Sequence, residues 1–104
     1  MNRVEILPKL PGETVPRMVD FISKLPLGVT ISAAVVTASV FSGNDLNPSA
    51  IVSGAASING TQVTQKITAG VAGATYQLIY QATGSDGNTY QLWGFFTVLP
   101  GNPQ

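Results

Sequence analysis

The chain has 104 residues, enough for one domain and too few for two cores. Only 10% are charged, five basic against five acidic, so there is no clustered Lys/Arg surface to neutralise phosphates and no nucleic-acid partner is expected. Histidine and cysteine are absent, which removes disulfides, thiolate metal sites and the commonest general base and nucleophile.

Residues 1–16 carry Pro8, Pro11 and Pro16. Proline removes backbone donors and fixes φ, so this segment reads as an extended arm. Val4, Ile6, Leu7 and Leu10 give the arm apolar side chains to bury, and they are candidate contacts to a neighbouring subunit. With no ladder of its own, the arm is expected to order only against a partner. The N-terminus has no apolar core of signal-peptide length, which argues against a classical secretory route.

The domain proper is expected over residues 17–99, with a polar tail at 100–104. Residues 17–21 read as a first strand with Val19 and Phe21 on one face, and residues 22–25 as a single turn before Pro26. Residues 29–41, VTISAAVVTASVF, form the next strand. Val29, Ile31, Ala33 and Val35 share one phase, while Val36, Ala38 and Val40 share the other. A bulge would produce that switch, and a strand buried on both sides is the alternative. This stretch is too short and too rich in Ser and Thr to span a bilayer, so no membrane partner is expected.

Residues 42–48 are dense in turn formers. Residues 51–52 and 56–58 read as short strands, and Asn59-Gly60 suits a type I′ turn. In residues 61–69, Val63 and Ile67 share a face with Thr61, Gln65 and Ala69. Residues 70–73 connect to a long closing hairpin. There Tyr76, Leu78, Tyr80 and Ala82 lie against Tyr90, Leu92, Gly94, Phe96 and Val98, provided that Ser85-Asp86-Gly87 form a three-residue loop with Gly87 left-handed. A two-residue Asp86-Gly87 turn would instead pair Tyr80 with Trp93. The pattern indicates an all-β fold: an immunoglobulin-like antiparallel β-sandwich of about seven strands with an extended N-terminal arm.

Little chemistry accompanies this fold. Asp45 and Asp86 sit in turns, where Asp commonly caps its own backbone. Asp86-Gly87-Asn88 is a fragment of a hard-cation loop without the remaining ligands. Residues 70–73 lack the Lys and glycine spacing of a phosphate loop. Asn59-Gly60-Thr61 fits a glycosylation sequon but reads as a turn. No catalytic residue, metal or cofactor is expected, and the chain reads as a non-enzyme. What remains is Ile79, Trp93 and Phe95, apolar side chains on the nominally outer face of the hairpin. Aromatics dominate interface hot spots, so these three are the chief partner-binding candidates.

Several local patterns have a counterpart in a known family. They are Val19-Asp20-Phe21-Ile22-Ser23-Lys24-Leu25, Gly28-Val29-Thr30-Ile31, Gly70-Val71-Ala72-Gly73-Ala74-Thr75-Tyr76, and Ala82-Thr83-Gly84-Ser85-Asp86-Gly87. With them, residues 18–98 resemble the small immunoglobulin-like structural proteins of tailed bacteriophages, a fibre–tail adaptor-like family. The resemblance implies a virion component, assembled in the host cytoplasm, that attaches fibres to the tail or neck. Its partners would be other virion proteins (tail, neck, fibre or capsid subunits), met in multiple copies, with no enzymatic activity. A capsid decoration protein would use the same fold, and a carbohydrate-binding module is a third possibility.

Overall fold

The computed structural model describes residues 3–100; Met1, Asn2 and residues 101–104 of the expected tail lie outside the described residues. Six strands form: β1 (Val15–Asp20), β2 (Ile31–Ser42), β3 (Val52–Asn59), β4 (Gln62–Ile67), β5 (Thr75–Gly84) and β6 (Thr89–Thr97). A 3-10 turn, Pro48–Ile51, precedes β3. The strands make two antiparallel sheets, ordered β1-β4-β3 and β2-β5-β6. This is the BED and CFG order of an immunoglobulin-like sandwich. The two short strands expected at 51–52 and 56–58 are one strand, β3, whose register shifts between Ser53 and Ser57, and Ile51 closes the 3-10 turn before it.

The closing hairpin fixes the core. Tyr76 lies opposite Phe96, Leu78 opposite Gly94, Tyr80 opposite Leu92, and Ala82 opposite Tyr90. All of these except Tyr90 are buried. The parity comes from the three-residue loop. Gly87 takes φ 84°, its N–H donates to the Gly84 carbonyl at 3.0 Å, and the Gly84 N–H donates to the Asn88 carbonyl at 2.8 Å. The Asp86 carboxylate holds the tip together, accepting from the Asn88 backbone and side chain and from the Tyr90 hydroxyl. From the other sheet, Val19, Phe21, Val63 and Ile67 complete the core.

Strand β2 does contain a bulge, but an earlier one than the residue phases suggest. Ile31 pairs with Gly84 and Ala33 with Thr83, so the extra residue falls at Ser32. Every later side chain is therefore flipped. Ala34, Val36, Ala38 and Val40 point inward, and Ala33 and Val35, expected beside Ile31, are exposed. A second shift between Val40 and Ser42 leaves Phe41 outward. The turn between β3 and β4 also differs from expectation. Asn59 pairs with Gln62, and only Gly60 (φ 65°) is left-handed, which is the requirement of a II′ turn centred on Gly60-Thr61.

Two buried tyrosines are anchored by their hydroxyls. Tyr80 donates across the sandwich to the Arg17 carbonyl at 2.9 Å, and burial pushes its hydroxyl pKa up to about 12. Tyr76, at the start of β5, accepts from the Val71 N–H at 2.8 Å and donates to the Asp45 carboxylate at 2.7 Å. A tyrosine bonding back to backbone a few residues upstream is the tyrosine corner of immunoglobulin-like folds. It accounts for the Gly-x-Ala-Gly-x-x-Tyr spacing of residues 70–76.

The arm is extended, as its prolines require, but it does not lack a ladder. It runs parallel to β6, with bridges at Arg3–Trp93 and Lys9–Val98. The Val4 N–H donates to the Trp93 carbonyl at 2.7 Å, Lys9 N–H to Thr97, and Leu99 N–H back to Lys9. The expectation that the arm orders only against a partner is therefore corrected: the free edge of β6 supplies the ladder within the chain. Gly94 makes the approach possible, because a Cβ there would come within 2.5 Å of the Val4 carbonyl and 2.8 Å of Ile6. Lys9 is buried, its ammonium donating to the carbonyls of Leu10 and Pro11. That burial lowers its pKa, against the opposing pull of Glu13. With the arm in place the sandwich has a seventh line of backbone.

Gly94→Ala is expected to cost about 1–3 kcal/mol by overpacking the arm against β6. In a chain lacking residues 1–8 the same substitution should be nearly neutral, a coupling that urea denaturation of the four chains would measure. Equal costs in both backgrounds would show that the arm does not occupy the Gly94 notch.

The Tyr76–Asp45 pair sets an acid limit. The Tyr76 hydroxyl, and after it the Asn47 N–H, hold the Asp45 carboxyl below its ordinary value of 3.8. A lowered folded-state value means that the pair's full contribution is present above 3.8 and is lost as pH falls through the lowered value. Asp45→Asn should thus reduce the melting midpoint at neutral pH and shrink the further loss on acidification. Tyr76→Phe, which strands the Val71 N–H, should cost about 1–3 kcal/mol. Melting curves taken from neutral to strongly acid pH test both, and an acid limb as steep in Asp45→Asn as in the parent would refute the assignment.

Candidate functional site

The outward side chains of β2, β5 and β6 form one face. Ile79 lies directly opposite Trp93, and Gln77 opposite Phe95. One strand further, Thr37 is beside Ile79 and Ser39 beside Gln77. Side chains alternate along a strand, so the register that sends Tyr76, Leu78 and Tyr80 inward sends Ile79, Trp93 and Phe95 outward. All three are half-buried.

The rings pack on one another. Trp93 and Phe95 meet edge to face at 5.4 Å and 77°, and Phe41 tilts against Phe95 at 4.4 Å. Arg3 places its guanidinium 5.0 Å from the Phe95 ring and 5.9 Å from the Trp93 ring, within cation–π range. Phe41 remains 64% exposed even so. Further along the face the side chains turn polar, and Gln91 donates to Gln81 at 3.0 Å.

Ile79, Trp93 and Phe95 are brought together as the sequence suggests. Of the arm residues, Val4 and Ile6 are half-buried against the chain's own core, whereas Leu7 and Leu10 stay exposed, at 70% and 43%. Phe41 and Arg3 belong to the face but were not singled out by sequence. Phe41 depends on where the β2 bulges fall, and Arg3 depends on the arm returning to β6.

The face is suited to contact and holds no acid–base pair. Among the described residues no three His, Cys, Asp or Glu side chains cluster as metal ligands, and no buried side-chain polar atom lacks a hydrogen-bond partner. Asp20, Asp45 and Asp86 each have a lowered carboxyl pKa, caused first by the hydroxyls of Thr61, Tyr76 and Tyr90 respectively. These are structural bonds in loops and turns. Two hollows exist elsewhere. One lies beside the β3 bulge near Ser53, Ser57, Thr64 and Lys66, the other in the β1–β2 loop near Ile22, Leu25, Leu27 and Thr61. Among the described residues no helix is long and apolar enough to cross a membrane.

No curated protein matches the chain. A family match does exist, and it runs from the buried Lys9 through the sandwich to Leu92, stopping just short of Trp93 and Phe95. It thus takes in the scaffold, the tyrosine corner and the closing loop, but not the two outward rings of β6. Since that span is most of the sequence, the chain belongs to the family described as podophage GP4 fiber-tail adaptor protein gp77, whose model matches residues 9–92.

Proposed function

We propose that this protein attaches fibres to the tail or neck of a tailed-phage particle, as a non-enzymatic adaptor, and that the face of Phe41, Ile79, Trp93 and Phe95 seats another virion protein. Family membership makes the chain a phage structural adaptor and hence a virion component. The observation that carries the assignment of the face is the ring cluster itself. Three aromatic side chains packed on one another, with an arginine over two of them, stand on the outside of a sheet whose inner face is already filled. Such a partly exposed apolar group is what interface hot spots are made of. Leu7 and Leu10, left exposed on the arm, extend the same reading, while Val4 and Ile6 fix the arm in place. Assembly in multiple copies in the host cytoplasm follows from this role. Nothing in the family match favours capsid decoration.

Trp93→Ala and Phe95→Ala should each weaken binding to the fibre-side or tail-side protein of the same phage by about 2 kcal/mol, or about thirtyfold, with only a small change in melting temperature. Calorimetric titration against the two candidate partners, alongside thermal melts, gives both numbers. The reverse ranking would falsify the assignment of the face. Copy number per particle checks the adaptor role separately, since an adaptor follows the symmetry of the tail and a decorator that of the capsid lattice.

A further inference from the structure

Strands β2, β5 and β6 contain no charged residue. The outer face of their sheet nevertheless carries a charge, because the arm brings Arg3 to it. The guanidinium lies 5.0 Å from the centre of the Phe95 ring and 5.9 Å from that of Trp93. Backbone, not a counter-charge, sets its place. Arg3 bridges to Trp93, the Val4 N–H donates to the Trp93 carbonyl at 2.7 Å, and Ile6 lies against Gly94. Among the described residues, none accepts a hydrogen bond from the Arg3 side chain or pairs with its charge, Glu5 included. Most other charged groups are engaged within the chain. Lys9 and Arg17 donate to carbonyls, and Glu13, Asp20, Asp45 and Asp86 each accept a hydrogen bond.

A partner that covers the rings therefore covers Arg3 as well. A guanidinium stays charged and has five N–H donors, so taking it out of water without acceptors is costly. The rings offset only part of that cost, since a cation–π contact leaves the N–H groups without acceptors. We infer that the protein seated on this face brings an Asp or Glu carboxylate onto Arg3, beside an apolar side chain laid on Phe41 and Phe95. A carboxylate matches the planar fork of a guanidinium and cancels its charge. Backbone carbonyls would satisfy the donors but leave the charge buried and uncancelled. The sheet offers no competing acid, because the polar neighbours of the rings are Thr37, Ser39 and Gln77. Arg3 thereby acts on specificity. It admits a partner segment with an acid next to an apolar anchor and rejects one with Lys or Arg in that place. This inference rests on the reading of the aromatic face as the partner-binding surface, and it adds the partner's chemistry to that reading.

The test is calorimetric titration of the full chain against the fibre-side and tail-side proteins of the same phage, with Trp93→Ala as the reference for the face. Arg3→Gln keeps a polar side chain and removes the charge, and it should weaken binding about tenfold or more. Arg3→Glu sets like charges together and should weaken it about a hundredfold, while Arg3→Lys, a charge without the fork, should fall between Arg3→Gln and the parent. Binding of the parent should weaken as salt is raised, and that dependence should flatten in Arg3→Gln. In the partner, one Asp or Glu changed to Lys should lose the parent chain and regain Arg3→Glu. Thermal melts verify folding of each variant, and slow exchange of the Val4 amide verifies that the arm stays docked. If Trp93→Ala weakens binding while Arg3→Gln and Arg3→Glu leave it unchanged, the inference is overturned and the aromatic face stands. If all three bind as the parent does, the reading of the face falls with it.

Discussion

The parity of the β5–β6 pairing governs everything built on this sheet. Side chains alternate, so a slip of one residue would drive Trp93 and Phe95 into the core and expel Leu92 and Phe96. The loop Ser85-Asp86-Gly87 prevents that slip by local means. Gly87 adopts the left-handed conformation, and Asp86 ties the tip to Asn88 and Tyr90. The inner face is then complete, with Tyr76, Leu78, Tyr80 and Phe96 fully buried, and the outer rings lie outside that core. The same constraint thus defines the core and frees the face.

The arm shows how the outer rings are kept orderly. Its backbone satisfies the β6 edge, its Ile6 occupies the space left open at Gly94, and its Arg3 comes to rest over the rings. Arg17 then fastens the arm's carbonyls to β1, and Tyr80 fastens the backbone of Arg17 to the opposite sheet. A chain of hydrogen bonds therefore runs from the arm through β1 to the centre of β5. Tension on the arm would be borne by both sheets rather than by one edge.

Much of this was legible in the sequence. The hairpin was, because period-two alternation and a turn cluster are local signals that tertiary context rarely overrides. The inward placement of Gln65 followed from the same alternation, and its amide is satisfied by carbonyls at the β3 bulge. The phase of β2 was not readable to the residue. A run such as VTISAAVVTASVF fits either a bulge or a strand buried on both sides, and the bulge at Ser32 is settled only once Gly84 and Thr83 are across from it. With the bulge unplaced, Phe41 had no assigned face. The docking of the arm was hidden for a different reason. It is held by backbone donors and carbonyls from the far end of the chain, which leave no side-chain pattern. The trace it did leave is Gly94, a glycine between two aromatic residues in an otherwise apolar strand, where close approach of another backbone is the usual cause.

The sparse charge of the chain acquires a physical meaning from this arrangement. Few charges remain beyond the first quarter of the sequence, and Asp45 and Asp86 are already engaged by tyrosine hydroxyls. The long axis of the molecule spans 49 Å against about 20 Å in cross-section. With so few charges on the surface, there is little to steer an encounter electrostatically. The positions that set register, Ser32 and Gly87, therefore decide which side chains the β2-β5-β6 sheet presents outward.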